Sequence, residues 1–164
     1  LGVCGGYQML GHTLDDPKGT ESGKPMALAG LGLLPTRTVF DAQKRRVQVR
    51  AVAQGESFGG AKMTGYEIHN GRTEVDGAPM CILEDGTPEG CIRENVFGTY
   101  LHGLFDSGEL TGALVRQLCA RKGISPTQTR LTSMEDYRRQ QFDLLADGVR
   151  QALNMGAVYR AMGL

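Results

Sequence analysis

The chain has 164 residues, with 18 basic and 18 acidic side chains and a formal net charge of zero. That balance gives no reason to expect nucleic acid or an anionic membrane as a partner, and no apolar run approaches the roughly 18 residues that span a bilayer. The length suits one domain with a real core, and without a basic-then-apolar leader the expected compartment is the cytoplasm.

The predicted elements are a short helix after the first strand, a run of strands and two closing helices. Leu1 to Val3 is the stump of a strand, and Gly6 to about Leu14 reads as a short helix with Tyr7, Leu10 and Leu14 on one face. Asp15, Asp16, Pro17 and Gly19 stop it, and residues 15 to 29 are expected to form a mobile surface loop. Leu31 to Leu34 and Thr36 to Phe40 are strand-like, Asp41 to Arg45 a charged turn, and Val47, Val49 and Ala51 alternate as a half-buried strand. The Gly55 to Gly60 stretch is a turn. Met63 to His69 is a strand ended by Asn70-Gly71, a tight-turn signal. Met80 to Leu83 and Gly90 to Arg93 read as a strand pair, and Val96 to Leu101 as a strand with His102 at its end. A helix carrying Leu110, Leu114 and Leu118 follows Ser107 as cap. Thr132 and Glu135 form a capping box for a last helix with a Phe142, Leu145, Val149 and Ala152 stripe.

Chemistry concentrates at the start. Gly2, Cys4 and Gly6 have the Gly-x-Cys-x-Gly spacing of a nucleophile elbow, in which the nucleophile sits on a strained strand-to-helix turn. Small residues two before and two after it are expected to relieve crowding. The positive end of a following helix favours a thiolate, and the N–H of Gly5 is placed to donate to an oxyanion. Read alone, the motif is equally a buried thiol in a glycine-rich turn. His102, at the C-terminal end of a strand where catalytic groups of open α/β sheets gather, is the candidate base. Cys4, Cys81, Cys91 and Cys119 lack CxxC spacing, and three sparse histidines give no zinc signature, so no metal site is expected. Cys81 and Cys91 are read as core thiols. No GxxxxGK[ST] nucleotide loop is present.

Four stretches, GVCGGYQMLG, GLGLLP, GYEIHNGRT and GTYLHGLFDS, in that order and spacing, resemble the glutamine amidotransferase domain of the cobyric acid synthases of cobalamin biosynthesis. The resemblance is specific from Leu1 to about Phe105 and extends to the C-terminus in helical character only. It implies an α/β fold of the class I glutamine amidotransferase, flavodoxin-like kind, an open sheet with flanking helices. It also implies Cys4 and His102 as the catalytic pair, with L-glutamine as substrate and a γ-glutamyl thioester as intermediate. Gln8 matches a residue that contacts glutamine. Tyr66, His69 and Arg72 belong to the branch motif, with His69 lining the glutamine pocket or holding the turn. Related class I enzymes carry a Glu two residues after the His, but here that position is Leu104. A carboxylate from elsewhere is expected to orient His102, with Glu67 the first choice and Asp106 the second.

The short strand before Cys4 suggests the C-terminal part of a longer protein, with residues 1–164 as one amidotransferase domain lacking its first strands and a second oxyanion glycine. By resemblance, an upstream synthetase domain would use ATP and magnesium to amidate corrin side-chain carboxylates, converting adenosylcobyrinic acid a,c-diamide to cobyric acid. No cofactor is expected on this chain itself. Two alternatives stay open: a non-catalytic docking module, and the amidotransferase part of the related cobyrinic acid a,c-diamide synthase. A hydrolase of γ-glutamyl peptides is a weaker third.

Overall fold

The computed structural model describes residues 1–125 and 134–164. Its first half comprises β1 (Gly2–Val3), α1 (Gly5–Leu10), β2 (Thr13–Asp16), β3 (Met26–Ala29), β4 (Thr36–Ala53) and β5 (Lys62–Val75). Short strands follow: β6 (Cys81–Leu83), β7 (Pro88–Glu89), β8 (Cys91–Arg93), β9 (Val96–Thr99) and β10 (Leu101–His102). The chain closes with α2 (Gly108–Arg121), α3 (Met134–Ala152) and α4 (Met155–Ala161).

The strands form two open sheets. One has three strands in the order β1-β9-β8, with β1 parallel and β8 antiparallel to β9. The other has seven, running β10-β5-β4-β2-β3, with β6 joined to β4 and β7 to β6. The expected strand Val96 to Leu101 is therefore two strands. The chain leaves the three-stranded sheet after Thr99 and enters the larger one at Leu101, so Tyr100 lies on the crossover.

Several boundaries differ from the sequence reading. Helix α1 stops at Leu10 because Gly11 packs against Thr36, where an added Cβ would lie 2.5 Å from Oγ1. His12 N–H donates to Thr36 O at 2.7 Å, and Thr13 to Asp15 then run parallel to β4. Leu14 is thus a strand residue rather than part of the helical face. Residues 15 to 29 are braced rather than loose: β3 pairs with β2, and the Asp16 carboxylate accepts the N–H groups of Thr20, Glu21 and Ser22 at 2.7 to 2.9 Å. Leu31 to Leu34 is not a strand. Its N–H groups satisfy the end of α1, Leu31 donating to Met9 O at 2.8 Å and Leu34 to Leu10 O at 2.9 Å.

Neither the Asp41 to Arg45 turn nor the Asn70-Gly71 turn exists as such. Both lie inside the long β4–β5 hairpin, where the register slips between the pairs Val39↔Arg72 and Lys44↔Asn70. Gly71 sits at the slip with φ +82°, and an added Cβ would lie 2.5 Å from Val39 O. The turn residues thus serve a bulge, which also asks for positive φ. Strands β6 and β8 do not pair with each other, but belong to different sheets.

The larger core gathers Ala51, Phe58, Met63, Met80, Leu83, Phe97, Leu101, Leu104 and Leu110. A second cluster joins Tyr7, Leu34, Cys91 and Tyr100. Cys81 and Cys91 are both fully buried free thiols. Helix α2 enters the core through Leu110, while Leu118 is half exposed. Ser107 holds the N-cap position, but its hydroxyl donates to Lys62 O at 3.1 Å instead of capping. Thr132 lies outside the described residues. Helix α3 forms as expected, yet no residue on it is buried: Phe142, Leu144 and Leu145 are 68%, 65% and 63% exposed. Among the described residues no helix is long and apolar enough to cross a membrane.

Candidate active site at the Cys4 turn

Cys4 joins β1 to α1 with φ 53° and ψ −116°, one of two non-glycine residues with positive φ among the described residues. A side chain in this region is strained and persists only where its surroundings hold it. Here Cys4 N–H donates to Thr99 O at 2.9 Å, extending the β1–β9 pairing by one bond. Gln8 N–H donates back to Cys4 O at 3.1 Å, which closes the first turn of α1. The thiol contacts Ile68 O at 3.4 Å. Of the two flanking glycines, only Gly2 meets crowding: a Cβ there would lie 2.6 Å from Gly6 O, whereas one on Gly6 or Gly5 would stand in open space. The steric requirement is one-sided.

His102 ends β10 opposite Tyr66 of β5. Gly65 lets the strands close here, since a Cβ on it would lie 2.4 Å from His102 O. His102 Nε2 is buried and has no hydrogen-bond partner among the described residues. Neither carboxylate expected to orient it does so. Glu67 is opposite Leu101, so its side chain leaves the other face of the alternating strand. There it accepts from His69 Nε2 at 3.0 Å and ion-pairs with Arg45 Nε at 2.6 Å. Asp106 faces Arg138 at 3.9 Å in a half-exposed pair. Tyr66 is half exposed beside His102.

A second group of side chains surrounds Tyr100. Its ring stacks on His69 with centroids 3.9 Å apart and meets Tyr7 edge-on at 5.1 Å. Gln8 Nε2 donates to Tyr100 Oη at 3.2 Å and approaches Asn70 O at 3.4 Å, while Thr73 closes on the same hydroxyl. His69 Nδ1 lies 3.0 Å from Gly71 O and its Nε2 3.0 Å from Glu67 Oε1, so each ring nitrogen meets an oxygen acceptor. His69 thus spans Glu67 and the bulge at Gly71 and lines a cleft of about 820 Å³ with Arg45, Glu67, Arg72, Thr73, Glu89 and Tyr100. Cys4 and His102 do not line that cleft. Gln8 and Tyr100 link the two neighbourhoods.

The sequence reading missed Arg45, Thr73, Thr99 and Glu89. Arg45 was hidden in what resembled a charged turn, and nothing local distinguishes Glu89. Burial pushes the Glu89 carboxyl up, and hydrogen bonds from Thr99 and Tyr100 only partly oppose that. Burial likewise pushes up the thiols of Cys81 and Cys91 and the hydroxyl of Tyr7. No cluster of three or more His, Cys, Asp or Glu side chains suited to a metal ion occurs among the described residues.

Open mixed sheets with flanking helices, entered through a Gly-x-Cys-x-Gly turn, agree with the class I glutamine amidotransferase fold. The chain belongs to the family of CobB/CobQ-like glutamine amidotransferase domains, which residues 1–110 match. It is similar to a cobyric acid synthase of Desulfitobacterium hafniense, 41% identical over 172 residues that cover all of this chain and 33% of the relative. A Streptococcus sanguinis protein of that name is 38% identical over 170 residues, 98% of this chain and 33% of its own. One from Salmonella arizonae is 42% identical over 175 residues, with coverages of 99% and 34%. The chain spans about a third of the length of the curated relatives it matches.

Proposed function

We propose that this chain is the glutamine-hydrolysing part of a cobyric acid synthase, with Cys4 as nucleophile and His102 as acid and base. The observation that carries the reading is the backbone of Cys4, held at φ 53° between a parallel strand and a helix by the Thr99 carbonyl. A strained residue held between a strand and a helix is how an elbow presents a nucleophile.

The Cys4 thiolate attacks the side-chain carboxamide carbon of glutamine, and the Gly5 N–H stabilises the resulting oxyanion. His102 hands a proton to the departing nitrogen, the C–N bond breaks, and ammonia leaves a γ-glutamyl thioester on Cys4. A water molecule, deprotonated by His102, attacks the thioester and releases glutamate and the thiolate. Gln8, Tyr66 and His69 are proposed to bind glutamine. Ammonia then serves the ATP- and magnesium-dependent amidation of corrin carboxylates in the synthetase part of the longer enzyme. The protein would work in the cytoplasm, with no nucleic acid or membrane partner.

Labelling with 6-diazo-5-oxo-L-norleucine, a glutamine analogue that alkylates an assembled amidotransferase thiolate, tests the reading by peptide mass spectrometry. Modification should fall on Cys4, be blocked by glutamine, vanish in Cys4→Ala and slow about 10²- to 10⁴-fold in His102→Ala. Absence of glutamine-protected labelling would favour the docking module, a reading to which the unpaired Nε2 of His102 lends some weight.

A further inference from the structure

A single buried carboxylate, remote in sequence from both members of the catalytic pair, organises the backbone that connects them. Glu89 ends β7 and is 7% exposed. Its Oε1 accepts the N–H of Tyr100 at 2.6 Å, and its Oε2 accepts the hydroxyl of Thr99 at 2.6 Å and the thiol of Cys81 at 3.4 Å. Every one of these partners is a donor, so the carboxylate is the acceptor the crossover requires. Thr99 and Tyr100 are where the chain passes from the three-stranded to the seven-stranded sheet, and neither ladder satisfies the Tyr100 N–H.

Two of the three groups bonded to Glu89, Thr99 and Tyr100, have a second attachment in the site. The Thr99 carbonyl holds Cys4 N–H at 2.9 Å, and the Thr99 hydroxyl oxygen accepts Leu101 N–H at 3.0 Å, next to His102. Tyr100 carries Gln8 on its hydroxyl and His69 against its ring. From Glu89 the nucleophile is reached through Thr99, the base through Leu101, and the glutamine-facing side chains through Tyr100. We propose that Glu89 is a positioning residue for the glutaminase site, which sets the strained conformation of Cys4 relative to His102 through Thr99. The inference rests on the glutaminase reading and adds to it a residue without which the pair loses register.

The test combines two readouts on the intact protein. Amide hydrogen exchange at Cys4 and Leu101 reports the Thr99 bonds, and analogue labelling of Cys4 reports the assembled site. In Glu89→Gln, and in the near-isosteric Thr99→Val, exchange at both amides should accelerate at least tenfold and analogue labelling should slow at least tenfold. Iodoacetamide should still alkylate Cys4 within about threefold of the parent rate. Thr99→Ser, which keeps the hydroxyl, should stay within twofold of the parent in both assays. If Glu89→Gln fails to fold, the Cys4 amide in the Thr99→Val and Thr99→Ser pair decides the matter, because valine removes the bond to Glu89 while leaving the carbonyl that holds Cys4 in place. Unchanged exchange and labelling in a folded Glu89→Gln, or equal behaviour of Thr99→Val and Thr99→Ser, would overturn the proposal while leaving the glutaminase reading intact. A parent protein that the analogue does not label would overturn both.

Discussion

Glu67 shows how strand alternation distributes roles among residues that are neighbours in sequence. On β5, Tyr66 shares a face with His102, whereas Glu67 turns to the opposite face, where Arg45 and His69 await it. Burial pushes its carboxyl up, but the hydrogen bond from His69 and the contact with Arg45 outweigh that and hold it below the ordinary value of 4.5. A carboxyl lowered on folding contributes stability that is fully present above its unfolded value and is lost as pH falls through the folded one. Glu67→Gln should therefore cost about 1–2 kcal/mol at pH 7, and the difference from the parent should shrink below pH 4.5. Urea unfolding of both proteins at pH 7 and pH 3.5 measures it; a pH-independent difference would contradict the ion-pair account. At this scale the chemistry-bearing types were legible, since Cys4, Gln8, His69 and His102 stand in recognisable stretches. The partner of each was not, because the face a side chain takes depends on a register set by strands far away in the chain. Choosing Glu67 for His102 failed for that reason alone.

At the scale of elements, the glycines around the elbow separate two requirements that a motif merges. Gly98 lies under the Tyr7 ring, where a Cβ would come within 2.0 Å of Cδ2 of a residue that is 1% exposed. Gly98→Ala should destabilise the protein by about 3 kcal/mol or more, lowering Tm by roughly 6–12 °C. Gly6→Ala, with nothing within 4 Å of the added carbon, should be neutral or stabilising by up to about 1 kcal/mol, since alanine suits a helix better. Thermal unfolding of the two variants side by side checks the contrast. The elbow and the helices α2 and α3 were readable because they depend on glycine spacing and local periodicity. The merger of two apparent turns into one bulged hairpin was not. Asn70-Gly71 offers the same positive φ to a hairpin turn and to a bulge, and only the partner strand decides between them. The break at Tyr100 was equally hidden, because Val96 to Leu101 is continuous as a pattern and divided only by which sheet each half joins.

Across the whole molecule, cohesion is uneven. Residues 1–125 hold both core clusters, whereas α3 contributes no buried residue; among the described residues, Met134 N–H and the Arg138 guanidinium reach back to Asp106. A helix gains most of its stability from packing an apolar face, and a 19-residue helix without that support is marginal in water. Its backbone therefore opens at little cost, and opened backbone is what a protease needs. Trypsin at low ratio should cleave after Arg138, Arg139 and Arg150 well before it cuts within the two sheets, leaving a resistant body that retains the Cys4 turn and His102. Mass spectrometry of an early time course would show this, and survival of α3 as long as the sheets would mean that something holds its apolar face. Where α3 is cut first, the Cys4 turn, His102 and α2 outlast the last two helices, and the contact at Asp106 is the one that digestion severs.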